Sequence, residues 1–160
     1  MKKITPFLWF DHNAEEAVRY AQRAICLDQA KLVWAYSRLA DAAVLQADPE
    51  SAGKYALCAV ASIEDLARKF GRYPGIDQVL AEQRSQAAFV TWEHLHEPNL
   101  SISLLEKALS FFERKREKGL QINDIDKQNA AMDLSNAIEF YVITGNVNKF
   151  LDARKRLLEL

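Results

Sequence analysis

Residues 17–25 read AVRYAQRAI, and residues 52–60, 35 positions further on, read AGKYALCAV. In both stretches alanines occupy the first, fifth and eighth positions, a basic residue the third, a tyrosine the fourth and a branched aliphatic residue the ninth. Alanines at this spacing lie on one helical face and let a neighbouring helix approach closely. Self-similarity at such a period is typical of helical repeat proteins, whose units bury their apolar faces against one another. The two copies therefore predict a stack of helices.

The composition excludes several classes of protein. The 160 residues suffice for one domain, and five glycines and four prolines are too few for a many-stranded β fold. The 21 basic and 22 acidic residues nearly cancel, which argues against a general role in binding nucleic acid or membrane surfaces. Cys26 and Cys58 lack a CxxC spacing and indicate buried thiols in a reducing compartment. We expect a cytoplasmic protein without a cofactor.

Turn residues divide the chain into six or seven helices. Residues 1–12 are expected to form an apolar leader or cap, and residues 13–160 a single helical-repeat domain. Proline and glycine signals place the helix ends, since proline disfavours the α region before it and glycine often follows a helix. The predicted helices span about 13–27, 29–47, 50–70, 76–96, 100–118, 124–144 and 147–160.

The spacing of apolar and aromatic residues indicates part of the expected core. The spacing in the second predicted helix places Leu32, Tyr36, Leu39, Ala43 and Gln46 along one stripe, flanked by Val33, Ala40 and Val44. By spacing, seven aromatic residues are predicted to lie mostly in the core: Trp34, Tyr36, Trp92, Phe111, Phe112, Phe140 and Tyr141.

The segment around the first copy, EEAVRYAQRAICLD at residues 15–28, resembles the second helix of a tetratricopeptide repeat. Residues 104–109 resemble the end of another such helix, although they do not keep the 35-residue period, and residues 145–151 resemble the glycine turn before a further one. Trp34 matches the tryptophan position of the family, while Ser37 and Arg38 replace its Leu-Gly pair. The resemblance implies an α-solenoid of stacked antiparallel hairpins that binds a peptide or partner helix on its concave surface.

Residues 3–18, KITPFLWFDHNAEEAV, are also similar to the opening of the PhnB-like branch of the glyoxalase and vicinal oxygen chelate proteins. This second resemblance implies a metal-dependent enzyme with several β-strands. Residues 28–160 carry no alternating pattern of the kind that such strands require. The apolar run Phe7–Phe10 suggests a third alternative, a structural homo-oligomer assembled through the leader.

Few residues indicate catalysis or metal binding. The candidate metal ligands are His12, His94 and His96, together with Glu93 and Glu97. His94 and His96 stand two positions apart and point to different sides of a helix, so they cannot readily share an ion. We therefore expect only a polar helix end there. No GxSxG elbow or glycine-rich phosphate loop occurs. The basic run at residues 114–118 is typical of a helix C-terminus that complements the helix dipole.

The favoured hypothesis is a non-catalytic protein–protein interaction module, without metal, nucleic-acid or membrane partners. In a helical repeat protein the first helices of each pair line the concave surface, where aromatic, arginine and asparagine side chains serve as anchors. The residues expected to contact the protein or peptide partner are Tyr36, Arg38, Arg84, Asn129, Asn136 and Tyr141.

Overall fold

The computed structural model describes residues 31–70 and 75–160. Helix α1 is described over residues 31–45, and five helices follow it: α2 (Pro49–Phe70), α3 (Ile76–Glu93), α4 (Pro98–Glu117), α5 (Asp124–Ile143) and α6 (Val147–Leu158). Within these ranges the chain forms no β-strand, which confirms the expected all-α fold. The leader, its boundary with the helical domain, the helix predicted over residues 13–27 and the first copy of the repeated stretch lie outside the described residues.

The helices stack as hairpins in two layers. From α2 onward each helix packs against the next along the chain, and α3 also touches α5. Helix α1 is hydrogen-bonded to α3, because the Ser37 hydroxyl shares its one proton between Gln83 Oε1 at 2.9 Å and Gln86 Oε1 at 2.7 Å. The odd-numbered helices α1, α3 and α5 therefore lie side by side, as the hairpin stack predicted from the sequence requires.

The second copy of the repeated stretch lies in α2 and packs closely against the turn that follows α3. Its alanines Ala52, Ala56 and Ala59 are all buried, as their spacing predicts. Gly53 stands where the first copy has a valine, and the Leu95 side chain packs so closely on it that a Cβ there would overlap the Cγ and Cδ1 atoms of Leu95. The repeated pattern thus marks a surface built for small side chains.

The buried face of α1 differs from the predicted one. Leu32 and Leu39, placed on the stripe by their spacing, are exposed, whereas Ser37 outside it is buried. Ala43 of the stripe and the flanking residues Val33 and Ala40 are buried as well. The contact with α3 selects a smaller, partly polar face because Ser37 can hydrogen-bond to glutamines of that helix. Trp34 is likewise 52% exposed, so the prediction that it lies in the core was wrong. The free thiol of Cys58 is only partly buried.

Local signals in the sequence fix the helix ends. Helix α4 ends before Gly119 and α5 before Gly145, and both glycines adopt positive φ angles (63° and 69°) that residues with a Cβ rarely take. Asn123 begins α5 with a capping box: its side chain accepts from the Asp126 amide, and the Asp126 side chain accepts from the Asn123 amide. Within residues 31–70 and 75–160, no helix is both long and apolar enough to cross a membrane.

Candidate functional site

A groove runs between α3 and α5, with part of α4 at its base. Its volume is about 390 Å³, which falls in the range of small ligand sites. We call it the α3–α5 groove. Ten residues line it: Ala81, Glu82, Ser85, Gln86 and Phe89 of α3, Phe112 of α4, and Asn129, Met132, Asp133 and Asn136 of α5.

The apolar part of the groove is open to solvent. Phe89 is 49% exposed and Met132 57% exposed, whereas Phe112 below them is buried. Two large apolar side chains that line a groove and keep about half of their surface in water favour burial against a partner. Methionine and phenylalanine suit such a surface because they offer large apolar area, and methionine adapts its shape.

Amide side chains stand along the α5 wall of the groove. Asn129 and Asn136 lie seven positions apart, two helical turns, with Met132 between them. Within the described ranges, neither asparagine side chain hydrogen-bonds to another residue of the protein. Each can therefore donate to and accept from the backbone of a bound peptide.

The α3 wall of the groove contains a polar side chain, Gln86, that is already hydrogen-bonded to α1. The Gln86 amide donates from Nε2 to Asp41 Oδ1 at 2.9 Å and accepts from the Ser37 hydroxyl through Oε1. These bonds hold the Gln86 side chain towards α1. The α1 helix thereby orients one residue of the groove without lining it.

Asp133 is the one buried charged side chain in the groove. Its side chain lies on the α5 wall and accepts a short hydrogen bond from the Ser85 hydroxyl of α3, although the residue is only 2% exposed. Burial raises the pKa of Asp133 to about 6, and the hydrogen bond from Ser85 opposes that rise only in part. At neutral pH the groove therefore holds a carboxylate that is poorly solvated.

This raised pKa has a consequence for stability. Because the pKa of Asp133 in the folded protein lies above its ordinary value of 3.8, the folded state holds a proton between pH 4 and pH 6 that the unfolded chain has released. The stabilisation is present at low pH and is lost as the pH rises through about 6. We expect Asp133→Asn to raise the free energy of unfolding at pH 7.5 by up to about 3 kcal/mol, since each pKa unit corresponds to about 1.4 kcal/mol.

Urea unfolding of both proteins at pH 7.5 and pH 4.5 measures this effect. The advantage of the variant should shrink at pH 4.5, where the folded wild-type protein holds Asp133 protonated. A variant that is less stable than the wild type by the same amount at both pH values would show that Asp133 does not titrate as described.

The structure brings together two of the six residues predicted to bind a partner. Asn129 and Asn136 share the groove. Tyr36 stacks on Tyr55 with ring centroids 6.5 Å apart, and Arg38 is exposed beside Asp41 at the edge of α1. Neither of these two α1 residues lines the groove.

The other two predicted residues are engaged inside the fold. The Arg84 guanidinium is mostly buried and pairs with Glu64 of α2 at 2.8 Å, and no described residue hydrogen-bonds to its Nε. Tyr141 is buried and its hydroxyl donates to Glu106 Oε1 at 2.8 Å. We do not carry either residue into the proposed binding surface, because each already serves contacts between helices.

A second cavity of about 230 Å³ surrounds Tyr141 between α4, α5 and α6. Its charges are paired: Lys149 lies 2.5 Å from Glu106, and Arg156 lies 2.7 Å from Glu113 and 3.5 Å from Asp152. Burial alone would raise the pKa of Glu106, but hydrogen bonds from Lys149 and Tyr141 hold it below its usual value. Burial and the neighbouring Glu106 raise the pKa of Tyr141 well above its usual value. Three carboxylates and two cations thus join these helices, and each of these five side chains already has an ion-pair partner.

The candidate metal ligands do not assemble in the described part of the chain. His12 lies outside the described residues. Among the residues that the structure describes, no three histidine, cysteine, aspartate or glutamate side chains come together, including those near His94 and His96.

Sequence reasoning missed most of the groove. Phe89, Met132, Ser85 and Asp133 were not among the predicted site residues. Met132 and Asp133 lie between Asn129 and Asn136 at helical spacing, so the α5 wall could have been extended from the asparagines. No comparable signal pointed to the α3 wall, which is 48 positions away at the Ser85–Asp133 contact.

Comparison of the chain with protein-family models, with curated proteins and with solved structures finds no match. The function of the groove therefore has to be argued from its own shape and chemistry.

Proposed function

We infer that the protein is a non-catalytic interaction module that binds a peptide segment of another protein in the α3–α5 groove. The observation that carries this proposal is the exposure of Phe89 and Met132 in a groove whose wall also presents two asparagine amides that have no hydrogen-bond partner among the described residues. Such a surface offers apolar anchoring together with hydrogen bonds to a backbone, the two contributions that peptide recognition requires.

The hairpin stack supports this proposal, and we propose that it is organised as in tetratricopeptide repeats. The odd-numbered helices lie side by side, and the groove is formed on two of them, α3 and α5, which would be the first helices of consecutive hairpins. In the proposed arrangement these helices line the binding surface and the even-numbered helices support it from behind. Phe112 of α4 contributes at the base of the groove in this way.

The size of the groove favours a short segment over a folded partner surface. A volume of about 390 Å³ accommodates a few side chains, whereas stable interfaces between folded proteins bury on the order of 1,600 Å² in total. We therefore expect an extended peptide or a single turn of helix as the occupant. Its affinity should come mainly from side chains that bury Phe89 and Met132.

A phage-displayed library of 12-residue peptides, panned on the full chain at pH 7.5, tests this proposal. Selected peptides should bind the protein with saturable fluorescence anisotropy. The double substitution Phe89→Ser and Met132→Ser should weaken that binding by about tenfold or more, because it removes the apolar anchors. The melting temperature should change little, since both side chains are about half exposed.

The matched control is the double substitution Val142→Ser and Ile143→Ser. Both residues are exposed and apolar and lie on α5 outside the groove. This variant should bind selected peptides as the wild type does. Equal losses in both variants, or selected peptides that ignore the groove substitutions, would contradict binding in the α3–α5 groove.

No observation of the described residues supports the two alternatives raised by the sequence. The vicinal oxygen chelate hypothesis requires several strands, and the described residues contain none. The homo-oligomer hypothesis depends on Phe7–Phe10, which lie outside the described residues, so it stays a prediction.

A further inference from the structure

The α3–α5 groove is acidic. Its ten lining residues include Glu82 and Asp133 but no lysine, arginine or histidine. A third carboxylate, Asp41, adjoins the groove through its hydrogen bond to Gln86. Arg38 lies 3.8 Å from Asp41 but is 83% exposed, so water screens that pair. Arg84 of α3 does not line the groove, and its charge is paired with Glu64 of α2.

The position of Asp133 is not explained by the fold. The residue is 2% exposed, and within the described ranges Ser85 supplies the one hydrogen bond to its carboxylate. No basic side chain of the described residues pairs with it, in contrast to buried Asp126, which lies 2.5 Å from Lys115. A buried carboxylate without a counter-ion lowers stability at neutral pH, and an asparagine would fill the same space. Groups that oppose stability in this way are often retained for binding.

We propose that the groove recognises a lysine or arginine side chain of the peptide, whose cationic group pairs with the Asp133 carboxylate. This inference rests on the proposed peptide-binding function and names the chemistry of the occupant. The aliphatic stem of a basic side chain can pack on Phe89 and Met132 while its charged end reaches the carboxylate. The Phe89 ring adds a favourable site for a cation near its face.

The structure favours a side-chain cation over a metal ion. Protein sites for divalent ions commonly gather several charged or histidine ligands, and no group of three histidine, cysteine, aspartate or glutamate side chains that could hold an ion forms among the described residues. A single buried carboxylate held by one hydroxyl suits one ammonium or guanidinium group. Ser85 then acts as a positioning residue, because its hydrogen bond fixes the orientation of the Asp133 carboxylate.

Selected peptides from the panning described above test this inference. A selected peptide and a matched peptide, in which norleucine replaces lysine or citrulline replaces arginine, are titrated against the wild type and Asp133→Asn. The neutral peptide should bind the wild type about tenfold more weakly, because the desolvated carboxylate loses its partner. Asp133→Asn should weaken the binding of the basic peptide by a similar factor, and the two peptides should bind this variant with almost equal affinity.

The control variant is Glu139→Gln, which removes the same charge from an exposed position of α5 outside the groove. It should leave the difference between the two peptides unchanged. The melting temperature of Asp133→Asn at pH 7.5 should equal or exceed that of the wild type, so that weaker binding cannot come from unfolding.

The outcomes separate this inference from the proposed function. Two results would overturn the basic-residue inference and leave the proposed peptide binding intact. In the first, the selected peptides depend on Phe89 and Met132 but contain no essential basic residue. In the second, they bind Asp133→Asn as tightly as the wild type. Failure to select any groove-dependent peptide would contradict the proposed function and this inference with it. Displacement of the peptides by spermidine at equal concentration would instead assign the groove to small polyamines and overturn the inference.

Discussion

Replacing Phe140 with alanine should lower the free energy of unfolding by about 3–5 kcal/mol, the largest effect that we expect from a single substitution. Phe140 of α5 is only 2% exposed and stacks on Trp92 of α3, with ring centroids 3.9 Å apart and the planes inclined by 17°. The stack joins two helices that otherwise touch little. The substitution removes buried ring area and leaves a cavity between α3 and α5, and the melting temperature should fall on the order of 10 °C.

Urea unfolding followed by circular dichroism measures this change. Val142→Ser is the matched control, since Val142 lies two positions away on the same helix and is 58% exposed. Its effect should stay within about 0.5 kcal/mol. A Phe140→Ala protein as stable as this control would show that the Trp92–Phe140 stack does not hold α5 against α3.

Replacing Asp126 with alanine should lower the free energy of unfolding by about 3 kcal/mol. Asp126 has no solvent exposure and accepts from Lys115 Nζ at 2.5 Å, which ties the start of α5 to the end of α4. Its side chain also accepts from the Asn123 amide at 3.1 Å and completes the capping box. Alanine would leave the mostly buried Lys115 without its counter-ion and the first turn of α5 without one half of its cap.

Asp124→Ala serves as the control for this substitution. Asp124 lies in the same first turn of α5 and has the same charge, but it is exposed. Its loss should lower the free energy of unfolding by less than about 1 kcal/mol, through the helix dipole alone. Thermal unfolding at pH 7 distinguishes the two variants. Equal losses would mean that the Lys115–Asp126 pair adds nothing beyond the charge of the helix terminus.

The ends of the helices could be predicted because local residues determine them. The helix predicted over 124–144 is observed as α5, Asp124–Ile143, and the one predicted over 50–70 as α2, Pro49–Phe70. Gly119 and Gly145 supply positive φ angles where α4 and α5 end, and Pro49 marks the start of α2. Each of these signals acts within a few residues, so the sequence alone contains it.

The faces of the helices were harder to predict because contacts between distant segments select them. In α1 the larger residues Leu32 and Leu39 remain exposed, while Ser37 is buried by its hydrogen bonds to glutamines 46 and 49 positions later. Hydrophobic spacing alone ranks leucine above serine for the core and so favours the wrong face. Knowledge of the α3 partner is required to reverse that ranking.

The groove depended on the same kind of long-range information. Asn129 and Asn136 were predicted from their residue type and their place on the sixth predicted helix, and both line the groove. Asp133, which lies between them, is buried and accepts a hydrogen bond from Ser85 of α3. From the sequence alone, an aspartate four positions after Asn129 is expected to be exposed on the helix. Its burial can be recognised only when its contact with Ser85 is known.

The central claim is that a peptide occupies the α3–α5 groove, and Met132 can report on it directly. The chain has two methionines, Met1 and Met132, so protein labelled with ¹³C at the methionine methyl groups should give two signals, which Met132→Leu assigns. Titration with a selected peptide should shift the Met132 methyl signal along a curve that saturates at the dissociation constant measured by anisotropy. A Met132 signal that stays in place while the peptide binds to saturation would contradict the account.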